Sequence, residues 1–230
     1  MSREKSLFSA SKMLAATALA ACSGTAEPPA SAPHGEIAAE EQARTLAAMR
    51  PPKRARPAIA VIGQNDGTET TDFVVPYAVL AASGAADVLA VAPEARPMRL
   101  TPALTIEPQA TTADFEARFP GGADYVIVPR IEDTANPAIV AWIQAQAASG
   151  ATIVGICSGV KTVAAAGLLD GRAATGHWYD LAELRRQHPT MRWVRDRRYV
   201  ADRGVVTTTG VSASLPASLA LVEAIAGRDR

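Results

Sequence analysis

Thr152-Ile153-Val154-Gly155-Ile156-Cys157-Ser158-Gly159 runs a short β-branched stretch into a cysteine bracketed by glycines. Thr152 to Ile156 reads as a buried strand, and Gly159 to Ala166 as the helix that follows it. A cysteine at such a junction has the G-x-C-x-G form of a nucleophile elbow. Its glycines allow two backbones to approach closely and allow a strained turn, so that the middle side chain projects beyond the sheet. At a helix N-terminus, amide N–H groups and the helix dipole favour a thiolate over a thiol. The competing reading is a small buried cysteine at the end of a glycine-rich strand.

Working outward, strands and helices alternate. Ala58 to Ile62 is an apolar run read as the first strand, Gly63 to Thr71 a polar loop, and Asp72 to Ala82 a helix. Asp87 to Val91 is a second strand, and Met98 to Leu100 with Leu104 to Ile106 a small hairpin. Thr112 to Phe119 opens with a threonine cap, and Tyr125 to Val128 is a further buried strand. Asn136-Pro137 gives a helix both a cap and a proline at its first position, and Gly150 ends it. Beyond the elbow come a short strand at Ala173–Thr175 and a hairpin from Trp193-Val194 and Tyr199-Val200-Ala201. A last core strand follows at Val205–Thr208, and a closing helix at Ala213–Ala226. Such alternation predicts a flavodoxin-like three-layer α/β sandwich with a mainly parallel sheet covered on both faces. In these sheets the site lies beyond the carboxyl ends of the strands, so the loops after Ile62, Val128 and Ile156 should converge.

The chain has 230 residues, with 23 basic and 23 acidic, so no net charge argues for a nucleic-acid partner. The first 57 residues stand apart. Arg3, Lys5 and Lys12 precede a short apolar run, Met13 to Ala21, too short to span a bilayer but suited to a signal-peptide core. It ends in Leu19-Ala20-Ala21-Cys22, which resembles a bacterial lipobox. The expectation is a signal peptide over 1–21, lipidation at Cys22, and a lipid-anchored domain on the periplasmic side of the cell envelope. An alanine-rich helix with a chance cysteine is the alternative. Residues 22–56 read as a Pro/Ala-rich tether to a domain over 57–230, with a possible helix from Gly35 to Met49. The basic Lys53-Arg54-Ala55-Arg56 reads as solvated linker, or as a contact for anionic lipid. Cys22 and Cys157 each have a better local explanation than a disulfide, there is no C-x-x-C pair or Cys/His cluster, and the histidines His34, His177 and His188 are scattered, so no disulfide, metal or cofactor is expected.

Three residues are candidates to act with Cys157: Asp72 at the start of the first helix, Ser158 beside the cysteine, and His177, twenty residues downstream. A carboxylate can share a proton with the thiol, and an imidazole can act as base or shuttle. For His177 alone, a structural or solvent-facing role competes.

These stretches resemble the ThiJ/PfpI superfamily, within the class I glutamine amidotransferase-like fold, nearest its isonitrile hydratase and AraC-type sensor-domain branch. The likeness covers about residues 57 to 227. It rests on the elbow, on Ala164-Ala165-Ala166-Gly167-Leu168-Leu169-Asp170-Gly171, and on Ala173-Ala174-Thr175-Gly176-His177-Trp178. Asp72-Phe73-Val74-Val75-Pro76 and Thr209-Gly210-Val211-Ser212-Ala213 support it. The resemblance implies that Cys157 is the nucleophile, Asp72 its acid and Ser158 the hydroxyl residue after it, usually threonine in that branch. It also implies that His177 is a nearby histidine and that a homodimer is possible. Gly159 and Arg130 join Ser158 as candidates to hold substrate or oxyanion. Pro129-Arg130-Ile131 departs from the family's Pro-Gly-Gly, Pro216 replaces a frequent aspartate, and Glu69 rivals Asp72 as the acid. The expected function is conversion of a small electrophile by a hydratase or hydrolase reaction. A non-catalytic ligand-binding or sensor domain, or cysteine-based redox sensing, are the alternatives.

Overall fold

The computed structural model describes residues 38–49 and 51–228. The signal peptide expected over 1–21 and the lipidation expected at Cys22 lie outside the described residues. In chain order the elements are α1 (Ala39–Ala48), β1 (Ala58–Ile62), β2 (Asp66–Glu69), α2 (Thr70–Ala82) and β3 (Asp87–Ala92). Then come β4 (Met98–Thr101), β5 (Leu104–Ile106), β6 (Ala110–Thr111), α3 (Thr112–Arg118), β7 (Tyr125–Val128) and α4 (Pro137–Ala148). The last are β8 (Thr152–Gly155), α5 (Gly159–Ala165), β9 (Ala173–Ala174), α6 (Leu181–Gln187), β10 (Arg192–Trp193), β11 (Tyr199–Asp202), β12 (Val205–Thr208) and α7 (Ser214–Ala226).

A seven-stranded sheet runs β11-β12-β8-β7-β1-β3-β6, parallel except for the β11–β12 pair. Strands β1, β7 and β8 are buried along their whole length, as near-continuous apolar runs require when both faces are covered. Their side chains alternate between two cores. Ala58, Ala60, Val126 and Ile153 face one cluster with Ile139, Trp142 and Ile143 of α4 and Val160 and Val163 of α5. Ile59, Val61, Ile127 and Val154 face the other, with Phe73 and Leu80 of α2 and Leu221 of α7. These are the two interfaces of a three-layer sandwich. The helix signals act locally as expected: the Asn136 carboxamide oxygen accepts from Ile139 N at 3.2 Å, and Thr111 and Asp114 form a reciprocal capping box.

Three expectations change. The polar loop over Gly63–Thr71 contains β2, which pairs with β4 and completes a second sheet, β2-β4-β5. Thr68 is fully buried there, and its hydroxyl closes the turn with the Gln64 backbone. The hairpin expected from 193–194 and 199–201 does not form. Trp193 pairs with Ala174, and Tyr199–Asp202 pairs antiparallel with Val205–Thr208, because the true turn is the Arg203-Gly204 pair, both at positive φ.

The tether expected over 22–56 is a packed element from Ala39 onwards. Met49 is wholly buried, and its carbonyl accepts from Thr152 Oγ1 at 2.6 Å. Gly204 N donates to Ala48 O at 3.0 Å, and Arg197 pairs with Glu41 at 2.7 Å. Lys53 Nζ reaches Gly121 O at 2.7 Å, Arg54 pairs with Asp124 at 3.1 Å, and Arg56 with Asp87 at 2.7 Å. The basic run is therefore a strap along the entry ends of β8, β7 and β3. Carbonyls and carboxylates at those ends take up cations that look solvated in the sequence.

Candidate functional site

At the opposite, exit ends of the strands, β8 pairs with β7 up to Val128↔Gly155, and Ile156 N still donates to Val128 O at 2.8 Å. The chain then turns sharply. Cys157 sits at φ 55°, the left-handed region that a side chain adopts only under constraint. Its N–H donates to Thr208 Oγ1 at 2.9 Å, which anchors the turn to β12. Gly159 makes the turn possible: a Cβ there would collide with the Val128 carbonyl oxygen and lie 2.8 Å from the Pro129 carbonyl carbon. Its own N–H is taken by Ile156 O at 2.7 Å. Gly159 thus supplies close approach rather than the free oxyanion donor expected of it. Ser158 is half-buried, and its N–H and hydroxyl both act to lower the proton affinity of the Cys157 sulfur.

The thiolate expected at this helix start is not the resting form. Cys157 is only 6% exposed, and its pKa is pushed up to about 12. Burial is the main cause and the Asp72 charge the second, and together they outweigh the opposing bonds from Ser158.

Asp72 occupies the first turn of α2, whose N-cap is Glu69. The Glu69 carboxylate accepts from Asp72 N at 2.6 Å and from the Thr71 hydroxyl at 2.7 Å. The Asp72 side chain is fully buried. Its Oδ2 accepts one long bond, 3.3 Å, from Arg130 N, and its Oδ1 has no partner by strict geometry. Burial, then the Glu69 charge, raise its pKa to about 7. The Arg130 amide, the Cys157 thiol and the Arg130 charge pull the other way. Carboxyl and thiol are thus electrostatic neighbours, each altering the other's proton affinity.

Arg130 enters through its backbone. Its guanidinium is held by Glu132 at 2.7 Å, while its amide faces Asp72 and its carbonyl accepts from Glu69 N at 2.9 Å. Glu69 is a cap and an electrostatic neighbour of the acid. His177 is not among the groups acting on the thiol. Its Nδ1 accepts from Tyr179 N at 3.3 Å, its ring lies 5.3 Å from that of Trp178, and it lines an adjoining cleft of about 820 Å³. Cys157, Asp72, Ser158 and the Arg130 backbone come together; His177 stands to one side. Sequence reasoning missed Thr208, whose hydroxyl anchors the elbow. Its only signal was a Thr207-Thr208-Thr209 run that reads simply as β propensity. Among the described residues no three His, Cys, Asp or Glu side chains gather as a metal site.

The sequence and the fold have counterparts among known proteins. Isonitrile hydratase from Pseudomonas putida is 31% identical over 164 residues, spanning 69% of this chain and 68% of that protein. A 56-residue stretch is 39% identical to the HTH-type transcriptional regulator CdhR of Pseudomonas aeruginosa, but covers only 17% of the regulator. The crystal structure of a ThiJ/PfpI family protein from Pseudomonas syringae matches with TM-score 0.61 at 27% identity, over 73% of this chain and 68% of that one. Drosophila melanogaster DJ-1beta matches with TM-score 0.66 at 19% identity, over 76% and 92%, a likeness of fold alone. The DJ-1/PfpI family model spans residues 58–224, from the first residue of β1 almost to the end of α7, and the chain belongs to the DJ-1/PfpI family.

Proposed function

We propose that the domain hydrates or hydrolyses a small electrophile, with an isonitrile as the leading substrate class, through Cys157 as nucleophile and Asp72 as proton relay. The observation that carries this reading is the pairing of a thiol on a strained elbow with a buried, under-bonded carboxyl. The hydratase relative supports the choice of substrate.

At rest the proton sits on sulfur. Burial and the Asp72 charge raise the thiol to about 12, against about 7 for the carboxyl, so transfer of the proton to Asp72 is uphill and is driven by the bonding of sulfur to the substrate. As sulfur bonds to the terminal carbon of R–N≡C, the thiol proton passes through Asp72 to that carbon, giving a thioimidate, R–N=CH–S–Cys157. Water then adds at the same carbon and a proton goes to nitrogen. The C–S bond breaks, releasing R–NH–CHO and regenerating the thiol. The Ser158 N–H and hydroxyl, which lower the proton affinity of the sulfur, stabilise charge as it develops there. Peroxide sensing is the weaker use of this site, since a buried sulfur with so high a pKa is rarely thiolate.

The test is formamide production from cyclohexyl isocyanide by the full chain, with benzonitrile in parallel. Turnover that falls by 10²–10⁴-fold in both Cys157→Ala and Asp72→Asn is expected. Absence of turnover of either compound by the wild type, or equal rates in Cys157→Ala, refutes the reading.

A further inference from the structure

The cleft beside the elbow has a chemistry of its own. Thr208, whose hydroxyl accepts from Cys157 N at 2.9 Å, is followed directly by Thr209 and Gly210, which line the cleft, so the cleft opens beside the β12 end that anchors the elbow. Its volume of about 820 Å³ falls within the range of small-molecule sites.

Arg185 and Arg195 both line it, and among the described residues neither has a carboxylate partner. This contrasts with Arg54, Arg56, Arg96 and Arg130, which are all paired. Arg185 lies over the Trp193 ring at 5.7 Å, which fixes the guanidinium against a flat apolar surface. The Trp193 Nε1–H is buried without an acceptor. Trp178 offers a second indole at the rim, 76% exposed. The one acid in the lining, Asp196, is outnumbered by the two arginines. Two guanidinium forks without carboxylate partners and two indole rings together suit a flat molecule that ends in a carboxylate.

We infer that this cleft binds the distal part of the substrate, and that the substrate is a planar or aromatic carboxylate held by Arg185 and Arg195. The inference names the substrate class of the reaction proposed for Cys157 and rests on that reading. It makes Arg185 and Arg195 specificity residues, not catalytic ones.

The experiment measures binding by tryptophan fluorescence in full-length Cys157→Ala, which has no thiol to react. The probes are 4-acetamidobenzoate and its uncharged counterpart 4-acetamidobenzamide. The carboxylate should bind at least tenfold more tightly. That preference should vanish when Arg185→Gln and Arg195→Gln are added, with the circular dichroism spectrum unchanged. Equal affinity for the two probes overturns the inference, as does a preference that survives the double substitution. Turnover of 4-isocyanobenzoate by the wild type is followed separately. Its absence with the binding preference intact counts against the reaction alone, so the two failures are distinguishable.

Discussion

Two aspartates are buried at opposite ends of the same sheet, and the protein treats them in opposite ways. Asp124 stands at the entry to β7. It accepts N–H bonds from Lys53 and, at 2.8 Å, from Ala58, and it pairs with Arg54 at 3.1 Å. Asp72 lies near the strand exits, with a single long bond to Oδ2 and none by strict geometry to Oδ1. Both side chains are out of water. A carboxylate saturated with donors holds chain segments together. One left short of donors has its proton affinity raised towards neutrality, so that it can take up and give back a proton, at the expense of stability. Structural and chemical roles are thus separated by where the hydrogen bonds go, not by burial or residue type.

The largest effect expected from this contrast is at the saturated end. Asp124→Ala leaves the Lys53 and Ala58 amides without their acceptor and Arg54 without its partner. A loss of roughly 3–4 kcal/mol is expected, or about 8–12 °C in Tm for a domain of this size. Iodoacetamide labelling of Cys157 at 20 °C should be unchanged, because the strap and the elbow lie at opposite strand ends. A loss below about 1 kcal/mol in chemical denaturation would mean that the strap does not hold the sheet.

At the unsaturated end the sign reverses. The native pKa of Asp72 is raised from 3.8 to about 7, so between those values the folded chain keeps a proton that the unfolded chain has released. Stability therefore falls as pH rises through that window, by up to roughly 4 kcal/mol, and the loss is complete above pH 7. Asp72→Asn cannot ionise. It should be about 2–3 kcal/mol more stable than wild type at pH 8, nearly equal at pH 4, and inactive. Parallel stability–pH curves for the two proteins would refute the claim that Asp72 is the under-bonded group. A site residue whose loss stabilises the fold is the signature of strain kept for chemistry.

What could be read in advance follows the same division. The parallel sheet was legible because Ala58–Ile62, Tyr125–Val128 and Thr152–Ile156 are uninterrupted apolar runs whose pattern is local. Asn136-Pro137 marked the start of α4 for the same reason. The elbow was legible because Gly155, Cys157 and Gly159 are close in sequence. What escaped depends on distant partners. Lys53, Arg54 and Arg56 look like a solvated linker until the fold brings Asp124, Gly121 and Asp87 beside them. The polar stretch Asp66–Glu69 has no strand periodicity and becomes β2 only when β4 arrives. Thr208 cannot be told from its neighbours until the elbow amide meets its hydroxyl. The thiolate was misread because the helix start is local and visible, whereas the burial and the carboxylate that outweigh it come from elsewhere in the chain.

The smallest effect tests the proton relay most directly. If Asp72 takes the thiol proton, iodoacetamide labelling of Cys157 should rise through a midpoint near pH 7 and level off. It should not climb steadily towards the thiol's own value of about 12. Glu69 is the second cause, after burial, of the raised Asp72 value. Glu69→Gln removes that charge yet leaves an oxygen to accept the Asp72 N–H, so the helix cap persists. Loss of one nearby like charge, partly screened by water, should lower the labelling midpoint by about half a pH unit. It should also speed labelling at pH 6 by roughly two- to threefold, with little change at pH 8. A midpoint that stays put would reduce Glu69 to a cap. A profile with no inflection between pH 5 and 9 would remove Asp72 from the proton's path and leave the two buried aspartates alike in function.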